Sequence, residues 1–107
     1  MQLGAKVRFF VSALDDRGPP TFSPDTPYRP HLIVASEEAT VAGGTADEDY
    51  LGVEFTDVES RDGDSIHVSG RTLYPDVDYS SLREGVEFFV VEGIKIVGRG
   101  TVTHAGI

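Results

Sequence analysis

Apolar and polar residues alternate with a period of two along most of the chain, the signature of half-buried β-strands. In Lys6 to Leu14 (K-V-R-F-F-V-S-A-L), Val7, Phe9, Val11 and Ala13 share one face, while Arg8 and Ser12 take the other. A second strand is predicted over Tyr28 to Ser36, where Pro30 marks a strand start or an edge. Tyr50 to Glu59 alternates through Leu51, Val53, Phe55 and Asp57, and Ser65 to Tyr74 continues after S-R-D-G-D, with Asp62-Gly63 as the hairpin dipeptide. Val86 to Glu92 and Ile94 to His104 complete the set. No stretch predicts a helix longer than one turn, the best being Tyr79 to Glu84.

Between these runs lie segments that cannot be regular. D-D-R-G-P-P-T-F-S-P-D-T-P carries four prolines and a glycine. E-E-A-T-V-A-G-G-T-A-D-E-D reads as a mobile acidic loop, with room for a short strand at Ala39 to Ala42, and P-D-V-D-Y-S-S-L-R-E-G is a connection. Six short strands with Gly and Pro punctuation predict a closed or nearly closed antiparallel barrel. Residues 1–107 are expected to form a single domain, without internal repeats.

The stretch V-E-G-I-K-I-V-G-R-G-T-V-T, from Val91 to Thr103, superficially matches a phosphate loop of the form G-x-x-x-x-G-K-[ST]. Three of the four residues after Gly93 are β-branched (Ile94, Ile96 and Val97), which resists the bent backbone of an anion nest. Arg99 and Gly100 stand in place of Lys and Ser/Thr, and a strand-forming tail follows where a helix should open. A β-hairpin accounts for the stretch better. It would turn at Glu92-Gly93, with Gly98 and Gly100 serving a bulge or a close backbone approach in the second arm.

The same residues carry a family resemblance. L-R-E-G-V-E-F-F-V-V-E-G-I-K-I-V-G-R-G-T-V-T resembles the closing segment of the third domain of bacterial elongation factor Tu and related translational GTPases. Gly85, Val86, Phe88 and Val90 match its first arm, Glu92-Gly93 the turn, and Val97, Gly98, Gly100 and Val102 the end. Y-R-P-H-L-I-V from Tyr28, A-K-V-R-F-F-V-S-A-L-D-D from Ala5 and Gly63-Asp64 are similar to further family segments, in the same order along the whole chain. The resemblance implies a six-stranded antiparallel Greek-key barrel and a link to translation. It implies no nucleotide hydrolysis, because these residues include neither the GTPase domain nor the second barrel. The family's tRNA-facing R-H-T-P-F loop is replaced by D-R-G-P-P-T-F, where Arg17 corresponds but the histidine is gone and Asp15, Asp16 and Asp25 flank the loop.

Charge narrows the partners. Eighteen Asp and Glu against nine Lys and Arg give a net charge of −9, which makes nucleic acid a disfavoured partner. No apolar run approaches the roughly 20 residues of a membrane-spanning helix, and the N-terminus lacks the pattern of a signal peptide. Cysteine is absent, which rules out disulfides, thiolate metal sites and cysteine nucleophiles and is compatible with the cytoplasm, the compartment expected here.

Metal and catalytic chemistry find little support. Asp57, Glu59, Asp62 and Asp64 suggest calcium, but counted from Asp57 the register puts Arg61 at a ligand position and Gly63 seventh rather than sixth. His31, His67 and His104 fall on three predicted strands without metal spacing. No nucleophile elbow is present, and small barrels fill their interiors with side chains. No catalytic residue, metal or cofactor is therefore assigned.

Protein binding is the function expected, with self-association included. If Val86, Phe88 and Val90 face inward, Phe89 and Val91 face out and join Phe10, Phe22 and Tyr28 as the protein-binding residues. Two arrangements stay open: an exposed patch, or coverage of the strand by Phe22 and Tyr28 from the Pro-rich loop. The alternative is a tRNA-binding module using Arg8, Arg17, Arg29, Arg71 and Arg99, and a third reading is a small-ligand binder or enzyme.

Overall fold

The computed structural model describes residues 1–10, 20–35 and 50–106. Its strands are β1 (Gln2–Phe9), β2 (His31–Val34), β3 (Leu51–Asp62), β4 (Ser65–Thr72), β5 (Glu87–Glu92) and β6 (Lys95–Gly106). All neighbours are antiparallel and the sheet closes on itself in the order β1-β4-β3-β2-β5-β6. Consecutive β2, β3 and β4 lie side by side and β1 returns beside β4, the Greek-key arrangement.

Period-two alternation fills the interior. Leu3, Ala5, Val7 and Phe9 of β1, Leu51, Val53 and Phe55 of β3, and Phe88 and Val90 of β5 all belong to one buried core. On β6 the inward row includes Gly98 and Gly100, paired with Phe9 and Val7 of β1 and with Val90 and Phe88 of β5. A Cβ at Gly100 would lie 2.6 Å from the Phe88 ring and 2.7 Å from the Lys6 carbonyl oxygen. A glycine row thus makes room for large rings across a narrow barrel.

Both ends are plugged. At one, Phe22 stacks on Tyr28 (5.7 Å between centroids), and Tyr28 meets Phe9 edge-on at 5.9 Å. At the other, Tyr79 and Leu82 descend from the β4–β5 connection into the core. The Tyr79 hydroxyl donates to the Gly52 carbonyl at 2.5 Å and accepts from the Tyr74 N–H at 3.3 Å.

Several boundaries differ from expectation. β1 begins at Gln2 rather than Lys6, because its pairing with β4 and β6 starts there, and Leu3 and Ala5 keep the phase of Val7 and Phe9. Residues 11–14 of the expected strand, and the acidic loop with its Ala39 to Ala42 strand, lie outside the described residues. β2 is shorter than Tyr28 to Ser36, although Tyr28 bridges to Phe55 and Pro30 accepts from the Val53 N–H at 3.2 Å. Both hairpin turns are displaced by one residue. Asp62 pairs with Ser65 and Glu92 with Lys95, so the central residues are Gly63-Asp64 and Gly93-Ile94. Gly63 (φ 61°) and Gly93 (φ 63°) hold the first central position with positive φ, as the two-residue hairpin turns that match strand twist require. Tyr79 to Glu84 forms turns rather than a helical turn, with Leu82 N–H bonded back to Tyr79 and Arg83 N–H to Ser81.

Candidate functional site

The expected contact face is the strand of Phe89 and Val91 with the loop Asp15 to Pro27, of which residues 15–19 lie outside the described residues, and the β5–β6 bulge decides what that strand displays. Val90 pairs with Gly98 but Val91 pairs with Ile96, leaving Val97 as the extra residue on β6. Phe88 and Val90 face the core, as their alternation predicts. Val91 takes the opposite face yet is only 1% exposed, so it is not a surface residue. Phe89 is half-buried, and the Arg99 guanidinium lies 5.6 Å over its ring. Arg99 in turn pairs with Glu87. The outer face of β5 is therefore a partly covered apolar strip under a charged lid, not an open patch.

The other predicted contact residues sit at the end of the barrel that carries this hairpin. Phe10 is half-buried and donates its N–H to the Val97 carbonyl at 2.8 Å. Phe22 and Tyr28 pack onto the core there, and the Tyr28 hydroxyl donates to Glu92 at the end of β5. These aromatics thus brace the hairpin base.

What sequence reasoning missed stands at the tip. Ile94, the second residue of the turn, is 96% exposed. Such turn positions normally carry Gly, Asn, Asp or Ser, so a large aliphatic there was the available signal.

A second arrangement emerges on the outer face of β3 and β4. Glu54 points away from the core between Val53 and Phe55, yet is only 4% exposed. Arg71 lies directly opposite it on β4, and Arg29 reaches it from the segment bridged to Phe55. Arg29 Nε donates to Glu54 Oε2 at 2.8 Å and Arg71 Nε to Glu54 Oε1 at 3.0 Å. The hydrogen bond from Arg29, reinforced by Arg71 and by both positive charges, holds the Glu54 carboxyl below its usual range against the opposing effect of desolvation. The sequence clue was a lone acid inside L-G-V-E-F, the most apolar stretch of β3.

The arginines of the RNA reading are not gathered into one stripe. Arg29 and Arg71 converge on Glu54, whereas Arg99 pairs with Glu87 on the opposite strands of the barrel. Arg8 is exposed and faces Arg99 across β1–β6, and Arg17 lies outside the described residues. His31, His67 and His104 occupy β2, β4 and β6. Among the described residues, no three His, Asp or Glu side chains come together as a metal site. Nor is any helix there long and apolar enough to cross a membrane. No protein-family model matches the chain, and a search of curated proteins finds no match either.

Proposed function

We propose that the chain is a non-catalytic β-barrel that binds another protein through the tip of its β5–β6 hairpin. The observation that carries this reading is Ile94, almost fully exposed on a two-residue turn. Glu92 and Lys95 pair across that turn, so the side chain is presented on a rigid support and little conformational freedom is lost on binding. Seating such a side chain in an apolar pocket is worth about 1.5–3 kcal/mol. Phe89 and its Arg99 lid continue the surface along the hairpin.

The resemblance to the translation-factor barrel supports a partner in the translation apparatus, and the lack of cysteine supports a cytoplasmic setting. Binding of tRNA is the weaker reading, because three of its five arginines are already paired with carboxylates and the net charge is −9.

The test compares the tagged wild type with Ile94→Asp in pull-downs from cell lysate at low and high salt, with tRNA filter binding alongside. The wild type should retain a partner at both salt concentrations, and the variant should lose it while keeping the wild-type melting temperature. Equal retention by the variant would remove the hairpin from the interface. Tight tRNA binding that weakens steeply with salt would replace the protein reading altogether.

A further inference from the structure

We infer that Arg29 and Arg71, held by the buried Glu54, form a binding site for a carboxylate presented by a partner protein. The site lies on the outer face of the sheet and stands independently of the hairpin tip.

Depth is the first ground. The negative charge of this three-residue rung is 4% exposed, whereas the Arg29 and Arg71 side chains are 62% and 67% exposed. Two guanidinium groups carry roughly ten N–H donors between them, and one carboxylate offers only about four lone-pair directions. Donors therefore remain on the outer side after Glu54 has been satisfied.

The cations are also fixed in place. Tyr28 and Phe55 exchange backbone hydrogen bonds of 2.9 and 2.8 Å on one side of Arg29, and Pro30 accepts from Val53 on the other. Arg71 is locked by its register opposite Glu54. Preorganised forks of this kind suit bidentate oxyanions.

Beside the rung is an aromatic surface. Gly52 shares the outer face of β3 with Glu54, and a Cβ there would come within 2.3 Å of the Tyr74 ring. That ring lies against the bare backbone, half-exposed, and the Tyr74 backbone N–H donates to the Tyr79 hydroxyl. A carboxylate on the arginines would have an apolar neighbour to rest on, as an acidic residue followed by a hydrophobic one would supply.

Charge selects the ligand. The rung has a net charge of +1 in a chain of −9. A carboxylate neutralises it, whereas a phosphate dianion would leave an excess negative charge in an already repulsive field.

The experiment follows the arginine side-chain Nε–Hε NMR signals of the whole protein near neutral pH as sodium acetate replaces sodium chloride at constant ionic strength. A parallel titration uses inorganic phosphate. Signals of Arg29 and Arg71 should move saturably with acetate, while Arg61, about 20 Å along β3, should not respond. Arg71→Lys, which keeps the charge but loses the fork, should weaken acetate binding by about tenfold. Linear shifts shared with Arg61, or unchanged affinity in Arg71→Lys, would overturn the site. Tighter binding of phosphate than of acetate would overturn the choice of ligand. The wild-type titration decides the question even if the variant is unstable.

Discussion

Replacing Gly70 with alanine tests whether the β3–β4 ladder is sterically locked. Gly70 pairs with Phe55 at the point where β3 bulges before Asp57. A Cβ on Gly70 would lie 1.9 Å from the Glu54 carbonyl oxygen and 2.7 Å from the Phe55 Cα. Both are backbone atoms, so no side chain can rotate away and the strands must separate. Overpacking of a well-ordered interior costs about 1–3 kcal/mol, and contact with backbone puts this case at the upper end. Alanine also restricts the unfolded chain, which offsets roughly 0.4–1 kcal/mol. A net loss of about 2 kcal/mol remains, equivalent to a fall in melting temperature on the order of 10 °C for a domain of this size. Gly4→Ala is the control: its Cβ would lie 3.2 Å from the Thr103 hydroxyl, which can rotate away, 3.4 Å from the His104 Cβ and an ordinary 3.8 Å from the Val68 carbonyl oxygen, so stability should stay near wild type. Thermal and urea unfolding of the three proteins would measure the difference. Stability of Gly70→Ala within about 0.5 kcal/mol of wild type would refute steric locking, since ordinary surface substitutions fall in that range. An equal loss in both variants would show that any strand glycine behaves alike.

Two further outcomes follow from the polar contacts. Because the folded state lowers the Glu54 pKa, Glu54 contributes stability that is present above the unfolded value near 4.5 and is lost as pH falls through the lower folded value. Wild type should therefore exceed Glu54→Gln in urea-unfolding stability near neutral pH, with the gap narrowing as acid is added below that value. A gap that stayed constant or widened would contradict the rung's role. Tyr79→Phe removes the buried hydroxyl that donates to the Gly52 carbonyl, and should lower stability by about 1–3 kcal/mol with little change in the slope of unfolding against denaturant.

Strand identity and inward facing could be read from alternation because the two faces of a half-buried strand meet different solvents. That rule placed Val7, Phe9, Val53, Phe55, Phe88 and Val90 in the core. It also predicted the hairpin and the usefulness of Gly98 and Gly100, but not that the inward row of glycines accommodates aromatic rings. Turn positions slipped by one residue because a Gly next to an acid is compatible with either register, and only cross-strand pairing chooses between them.

Val91, Glu54 and Ile94 show where local pattern stops being informative. Val91 follows Val90 opposite the β6 bulge and is buried on the face that alternation assigns to solvent. Glu54 obeys the alternation and faces outward, yet it is buried, and the arginines that satisfy its carboxylate, Arg29 and Arg71, lie 25 and 17 residues away. Ile94 is apolar and would be assigned to a strand, but at the second position of the turn it stands almost fully exposed. By itself, then, the sequence determined the all-β class, the strands and the inward face, since each depends on contrasts between adjacent residues. Tertiary structure alone decided which polar groups meet and which apolar group is left in water, since both follow from strand order and register around the closed sheet.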